Sequence, residues 1–538
     1  MASWGSCKKD TLADVLDVSA AKYPDKPCFV LDNHPVTFEQ LRRRSSTWAA
    51  RLVELGVAPG DRVACFVGNC PEIVYSWLAC AQIGAVHVPL NTALHGDFLR
   101  HQLATSAPTV ALVDGSRLPT VLQAAEAVPT LRHLIVREDT DEAGGPGPDS
   151  NGFSRHEAAA LLAGPDVEVS PTRRPRFDDL NAIFFTSGTT GPSKGAAMSH
   201  NYIVHIARSL ARNLKVDADS TWYQPSALFH INAALTVVLT PILVGATGCS
   251  DIRFSASRYW DTVRAYGATH ISFLTFGVIL WKQPPRDDDA DNPVRLASGT
   301  AIPRELHVPL EQRFDLKIIK QYALSESCAS PLGSTADAPA PPGTSGRANP
   351  DYDIALVDTD DDPVPVGTAG EILIRPRSPY TMFSGYFNND EATAAAWRNG
   401  WFHTGDLAKV DEHGWYTFMD RRKDYMRRRG ENISSYELEG VLQGYDGVAE
   451  VAVHGVPSEL GEDEVKACLV LEPRRTLDHT AFIGFCEQKL PHYAVPRYVE
   501  VFEQLPRNQT GRVIKGELKE RGITRGTWDR DGAGPDGS

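Results

Sequence analysis

Residues 186–195 read Thr-Ser-Gly-Thr-Thr-Gly-Pro-Ser-Lys-Gly and follow an apolar run, Ala182-Ile183-Phe184-Phe185, of the kind that ends a buried strand. Glycines let the backbone approach a ligand closely. Successive amide N–H groups and hydroxyls form a nest for oxyanions, and Lys194 adds a mobile positive charge. This is chemistry for cradling phosphates. The spacing of Gly188, Gly191 and Lys194 does not fit the common Gly-x4-Gly-Lys nucleotide loop, so the cradle is of another kind. By themselves the same residues also suit a flexible surface loop.

Two further stretches carry binding chemistry. In Gln321-Tyr322-Ala323-Leu324-Ser325-Glu326-Ser327, a tyrosine can stack on a base, a hydroxyl can hold phosphate and a carboxylate can hold Mg²⁺. Trp401-Phe402-His403-Thr404-Gly405-Asp406 places Asp406 after an expected tight turn. A carboxylate there suits the two hydroxyls of a ribose, with Arg421 able to join it, or it simply caps the turn. Asp287-Asp288-Asp289 reads as a solvated loop, because three adjacent carboxylates cannot all face one ion.

The elements that position these residues follow from patterning. A chain of 538 residues should hold more than one domain. Phe38, Leu41, Trp48, Leu52 and Leu55 fall near helical spacing, residues 62–67 read as a strand, 73–83 as a helix, and 85–90 and 109–113 as strands. This alternation predicts an α/β fold, with helix-covered parallel sheets in a large N-terminal domain. Residues 138–180, rich in Gly, Pro and charge, read as a linker into the cradle. Beyond Ile374 the chain turns β-rich, which predicts a β-subdomain. After the basic stretch 421–430 come a helix at 436–442, strands at 448–456 and 465–471, a helix at 480–490 and a strand at 497–502. That is a small α+β C-terminal domain. The expected division is 1–422 for the large domain, 423–526 for the small one, and 527–538 for a glycine-rich flexible tail.

Composition narrows the partners. Lysine plus arginine is 54 and aspartate plus glutamate 68, a net charge of −14, so no general attraction for nucleic acid or anionic lipid is expected. Nine dispersed cysteines without a Cys-x-x-Cys pair point to reduced thiols and a cytoplasmic location. Residues 1–10 carry no long apolar segment. The uncharged run 231–250 contains Asn232, Pro241 and Gly245 and reads as buried core rather than a membrane span.

In this order, the cradle, the Tyr322-Ala323-Leu324-Ser325-Glu326 motif, His403-Thr404-Gly405-Asp406 and Arg421-Arg422-Lys423-Asp424 resemble the adenylate-forming superfamily of acyl-CoA synthetases, peptide-synthetase adenylation domains and luciferases. The resemblance spans residues 10–525. Leu228-Phe229-His230-Ile231-Asn232-Ala233 and the ending from Leu505-Pro506-Arg507 to Trp528-Asp529-Arg530 look most like the crotonobetaine- and carnitine-CoA-ligase-like group. The resemblance implies that Thr186, Ser187, Gly188, Thr189, Thr190 and Lys194 hold the ATP phosphates. It implies that Ser298, Gly299 and Thr300 line the adenine, with Tyr322 on the other face. Ser325 would meet the α-phosphate, Glu326 would bind Mg²⁺, Asp406 and Arg421 would bind ribose, and His230 would sit at the acyl pocket. Lys423 matches the hinge about which the small, mobile C-terminal domain turns between half-reactions, and residues 429–433 would line the thiol approach.

Four departures from the family pattern stand out. Arg512 occupies the place of the usual catalytic lysine, and Lys515, three residues on, is preferred here as its replacement. Gln321 and Ala323 replace glycines, Ser298-Gly299-Thr300 replaces Gly-Gly-Ala, and Ala227 replaces a proline. The last three groups predict a smaller or more polar substrate site than a long fatty acid needs. The implied activity is an ATP-dependent, AMP-forming ligase, using ATP, Mg²⁺ and CoA to convert a small or aromatic carboxylate into a thioester. The alternative is a diazotase that activates nitrite, a planar oxyanion of carboxylate-like geometry, and couples it to an aryl amine. A homodimer is compatible with either.

Overall fold

The computed structural model describes residues 10–532, apart from 127, 139–146, 149–151, 172, 187–191, 274–275, 301, 303, 422–424, 430, 459–460, 507–512 and 514. Two compact units emerge: residues 1–92, 103–185 and 195–420 in the first, and residues 93–102, 186–194 and 421–538 in the second.

The alternating pattern at the start of the chain becomes a parallel sheet. Val86–Pro89, Arg62–Phe66, Val110–Asp114, His133–Arg137 and Ser154–Glu157 run side by side. Such strands are covered on both faces, which is why Val110–Asp114 is buried along its whole length. The expected linker 138–180 is shorter than the sequence reading. Ser154–Glu157 joins this sheet, and the helical turn Ala158–Leu161 buries Ala158 and Leu161. Neighbouring glycines, prolines and charges hid two very short elements.

A second sheet orders Pro27–Leu31, Thr247–Ser250, Thr221–Tyr223, His270–Ser272, Leu296–Gly299 and Lys317–Tyr322 in parallel. The long amphipathic helix Phe38–Glu54 starts at a capping box. Thr37 Oγ1 accepts from Gln40 N, and Gln40 Oε1 accepts from Thr37 N. Residues 231–250 are buried core, as expected. They divide into Ile231–Ala234, a π-helical turn Leu235–Leu239, Thr240–Val244 and the strand Thr247–Ser250. Gly248 lies against the π-turn, where a Cβ would overlap the Val237 carbonyl. Among the described residues no helix is long and apolar enough to cross a membrane. The β-rich part forms an antiparallel sheet of Tyr352–Val357, Gly370–Pro376 and Trp401–Val410.

The second unit packs Ser435–Leu442 and His479–Lys489 on a sheet of Val448–Pro457, Asp463–Leu471, Tyr498–Phe502 and Thr527–Asp529. The last strand corrects the expected flexible tail 527–538: Thr527–Asp529 pairs antiparallel with Tyr498–Phe502. Trp528 stacks on His479 with ring centroids 4.8 Å apart, and Thr527 Oγ1 donates to the buried Glu500 at 2.7 Å. One aromatic ring and one buried carboxylate hold a segment whose glycines signalled fraying.

Candidate active site

Two neighbouring strand ends bring the first group of residues together. Ser298 lies opposite Ile319, and Gly299 opposite Lys320. Gly299 has no room for a side chain, since a Cβ would lie 2.6 Å from Ile318 Cγ2 and 2.8 Å from Ile302 Cδ1. The Thr300 hydroxyl oxygen is buried and has no hydrogen-bond partner among the described residues. Such a group is poised for a partner on a ligand. Gln321, one of the departures, is engaged with the fold: its Nε2 donates to Ser334 O at 3.1 Å.

The Tyr322 hydroxyl donates to Asp406 Oδ2 at 2.8 Å, and both residues are buried. A motif at one strand end is thereby tied to a second motif far along the chain. Asp406 does not follow a simple tight turn. It sits inside the strand Trp401–Val410, where the pairing with Gly370–Pro376 shifts register between Glu371 and Leu373. The two extra residues on this strand are taken up with a left-handed backbone at Gly405, φ +72°. Buried Glu371 braces the bulge: Oε1 accepts from Gly405 N at 2.9 Å, and Oε2 lies 3.6 Å from His403 Nδ1. Thr404 Oγ1 donates to Ile372 O at 2.8 Å and accepts from Asp406 N at 3.1 Å.

Ser325 and Glu326 begin a single 3₁₀ turn, Ser325–Ser327, after the same strand. Tyr202 holds this turn. Its hydroxyl donates to Ser325 O at 2.9 Å and accepts from Cys328 N at 2.6 Å. Glu326 Oε1 accepts from the Tyr386 hydroxyl at 2.8 Å, and its other oxygen has no hydrogen-bond donor among the described residues. Glu371, Tyr386 and Tyr202 escaped the sequence reading because nothing in their local sequence marks a partner so distant.

His230 caps the short helix Ile231–Ala234, with its N–H on Ala227 O at 3.0 Å. The loop before it is braced at both ends. Asn69 Nδ2 donates to Ser226 O at 2.9 Å and to Asp251 O at 3.1 Å, while its Oδ1 accepts from Leu228 N at 2.8 Å. Gln224, fully buried, donates to Asn232 Oδ1 at 2.8 Å and accepts from Thr236 Oγ1 at 2.6 Å. Asn69 and Gln224 were also invisible in sequence, one in a strand-end turn and one before a proline.

In the second unit, Thr186 Oγ1 donates to Lys194 O at 3.4 Å, and Gln102 Nε2 donates to Ser193 Oγ at 3.1 Å. Ser187, Gly188, Thr189 and Thr190 lie outside the described residues, as do Lys423 and Arg512 and the side chain of Arg421. Lys515 opens the helix Lys515–Arg521 and is engaged within its own unit. Its Nζ lies 2.5 Å from Glu439 Oε1 and donates to Ser435 Oγ at 2.7 Å. Glu439 Oε1 also accepts from Val453 N at 2.7 Å.

The model of the AMP-binding enzyme family matches residues 16–387, and that of the AMP-binding enzyme C-terminal domain matches residues 437–512. A crotonobetaine/carnitine–CoA ligase of Salmonella arizonae is 30% identical over 518 residues, covering 94% of this chain and 98% of the relative. The corresponding ligase of Escherichia coli O157:H7 is 28% identical over 514 residues, covering 95% and 98%. Among solved structures, a double mutant of o-succinylbenzoate CoA synthetase from Bacillus subtilis, bound with a product analogue, superposes with a TM-score of 0.81. It is 25% identical, covering 96% of this chain and 99% of that one. Mycobacterium tuberculosis fatty acyl CoA synthetase gives 0.68 at 27% identity, covering 95% and 98%.

Proposed function

The chain belongs to the AMP-binding enzyme family and is an ATP-dependent, AMP-forming ligase; from that premise we propose that its substrate is a small or aromatic carboxylate and its acceptor the thiol of CoA. A carboxylate oxygen attacks the α-phosphorus of ATP. The bond to the bridging oxygen breaks, pyrophosphate leaves and an acyl adenylate remains. The CoA thiolate then attacks the acyl carbon, and AMP departs with the bonding electron pair.

Little covalent help is needed in such a displacement, so positioning and fixed charge do most of the work. Tyr322 and the Gly299-Thr300 edge flank the base, and Asp406, oriented by the Tyr322 hydroxyl, takes the ribose. Glu326 fits Mg²⁺: one buried carboxylate oxygen is held by Tyr386, and the pairing of a single carboxylate with substrate phosphates is typical of that ion. Glu326 would hold an ion that supplies positive charge against the departing pyrophosphate. His230 lies at the acyl end of the site, in a loop held by Asn69 and Gln224. The ion pair of Lys515 with Glu439 supports an anchoring role for Lys515 in its own unit and favours Arg512 as the proposed cation of the adenylation step.

The observation that carries this reading is the Tyr322–Asp406 hydrogen bond, which makes an aromatic wall and a ribose-type carboxylate one rigid unit. The choice of an aromatic or small acid and of CoA is supported by the substrates named for the relatives. The test is AMP release by the full chain with a panel of small and aryl carboxylates plus CoA, run beside nitrite plus an aryl amine. AMP and acyl-CoA with a carboxylate are expected. AMP only with nitrite and amine overturns the acyl reading in favour of a diazotase.

A further inference from the structure

Lys320 stands in the middle of a strand where an apolar residue would serve the fold. The strand Lys317–Tyr322 is fixed on both edges at this point. Gly299 is the partner of Lys320 on one side. On the other, Lys320 N donates to Ser334 Oγ and Ser334 N donates to Lys320 O, each at 2.8 Å. The backbone therefore presets the direction of the side chain. Side chains alternate along a strand, so Lys320 and Tyr322 leave on one face.

Only 7% of Lys320 is exposed. Its ammonium donates to Ile302 O at 3.2 Å, two residues beyond Thr300. Among the described residues it has no carboxylate within ion-pair distance, and burial brings its pKa down to about 8. An ammonium carries three N–H donors, so two remain for other partners. A buried cation without a counter-charge costs stability that a methionine of similar length would not. The charge makes sense where a ligand completes its hydrogen bonds. Thr300, whose buried hydroxyl has no hydrogen-bond partner among the described residues, adjoins the residue opposite Lys320.

We infer that Lys320 is a further binding residue of the nucleotide site, donating to an acceptor atom of the purine and helping decide which purines are accepted. The inference rests on the nucleotide-site reading above. An ammonium offers donors only. Adenine presents ring nitrogens as acceptors but a donor amino group at its six position; hypoxanthine presents an oxo acceptor there. A site whose polar reach is a donor takes a 6-oxo purine as well as adenine, and the Thr300 hydroxyl can serve either because it both donates and accepts.

The experiment is calorimetric binding of AMP and of IMP to the full chain, which needs no acyl substrate. Wild type is expected to bind IMP within about tenfold of AMP. Lys320→Met should weaken both by about tenfold or more, the loss of one charge-assisted hydrogen bond, and IMP the more strongly. Lys320→Gln, which can also accept, should recover AMP binding and shift the choice toward AMP; it carries the test if the methionine variant does not fold. Lys320→Met with wild-type affinity for both nucleotides overturns the inference. Wild type that binds AMP yet releases none from ATP with any substrate overturns the ligase reading and leaves Lys320 in place. Wild type that binds neither nucleotide overturns both.

Discussion

Replacing Lys515 with methionine separates anchoring from catalysis. The ammonium lies 2.5 Å from Glu439 Oε1, and the two side chains are 17% and 20% exposed. A second bond runs to Ser435 Oγ at 2.7 Å. Methionine keeps most of the volume and removes both interactions. Glu439 retains the Val453 N–H, so it is not stranded as a bare buried charge. The cost therefore falls below the roughly 3–5 kcal/mol of a broken buried pair and near the 1.5–3 kcal/mol of a charge-assisted hydrogen bond, about 2 kcal/mol. Urea denaturation of the full chain should show that loss, and Glu439→Gln should lose stability in the same direction. If Lys515 only anchors its helix, both variants keep adenylation within about tenfold of wild type in a pyrophosphate-exchange assay, while Arg512→Ala loses about 10²–10³. A loss of about 10²–10³ in rate for Lys515→Met, with the wild-type rate kept by Glu439→Gln, would refute the anchoring role. The ammonium would then act at the reacting atoms and merely rest on Glu439.

Other outcomes follow from the same geometry. Tyr322→Phe removes the donor that orients Asp406 and should raise the KM for ATP by about tenfold or more; an unchanged KM would separate the two motifs. Asn69→Ala cuts the bonds bracing the His230 loop and should raise the KM for the organic substrate by about tenfold, with the KM for ATP unmoved. Glu326→Gln should raise the Mg²⁺ concentration needed for half-maximal rate, read by titrating the ion at saturating ATP. Burial lowers the pKa of His87 from 6.5 to about 3, and of His200 and His270 to about 4. The unfolded chain then binds more protons between those values and 6.5, so their share of stability is full above pH 6.5 and drains away down to about pH 4 for His200 and His270 and about pH 3 for His87. A melting temperature flat across that window would contradict the burial of these rings.

What the sequence made legible is what local pattern controls. The succession of helix and strand signals marked the parallel sheet, and Tyr322, Ser325, Glu326 and Asp406 stood out because each sits in a short stretch of unusual chemistry. The small domain was legible to within a residue or two at Ser435–Leu442 and His479–Lys489, where amphipathic spacing is clean. What stayed hidden depends on distant partners. Glu371 reads as an ordinary charged strand residue until the bulge at Gly405 is seen leaning on it. Nothing in the sequence around Lys515, read there as the preferred catalytic cation, announces its pairing with Glu439. Thr527–Asp529 becomes a strand only because Glu500 and His479 wait for it.

Gly248 bears on how the enzyme can be re-engineered. The π-turn Leu235–Leu239 rides directly on that glycine, so this stretch of the helical run after His230 has no room to settle toward the strand Thr247–Ser250. If His230 lies at the acyl end as proposed, libraries meant to change the accepted acid are best spent on side chains along residues 226–232, while any β-carbon introduced at position 248 should give insoluble or inactive protein.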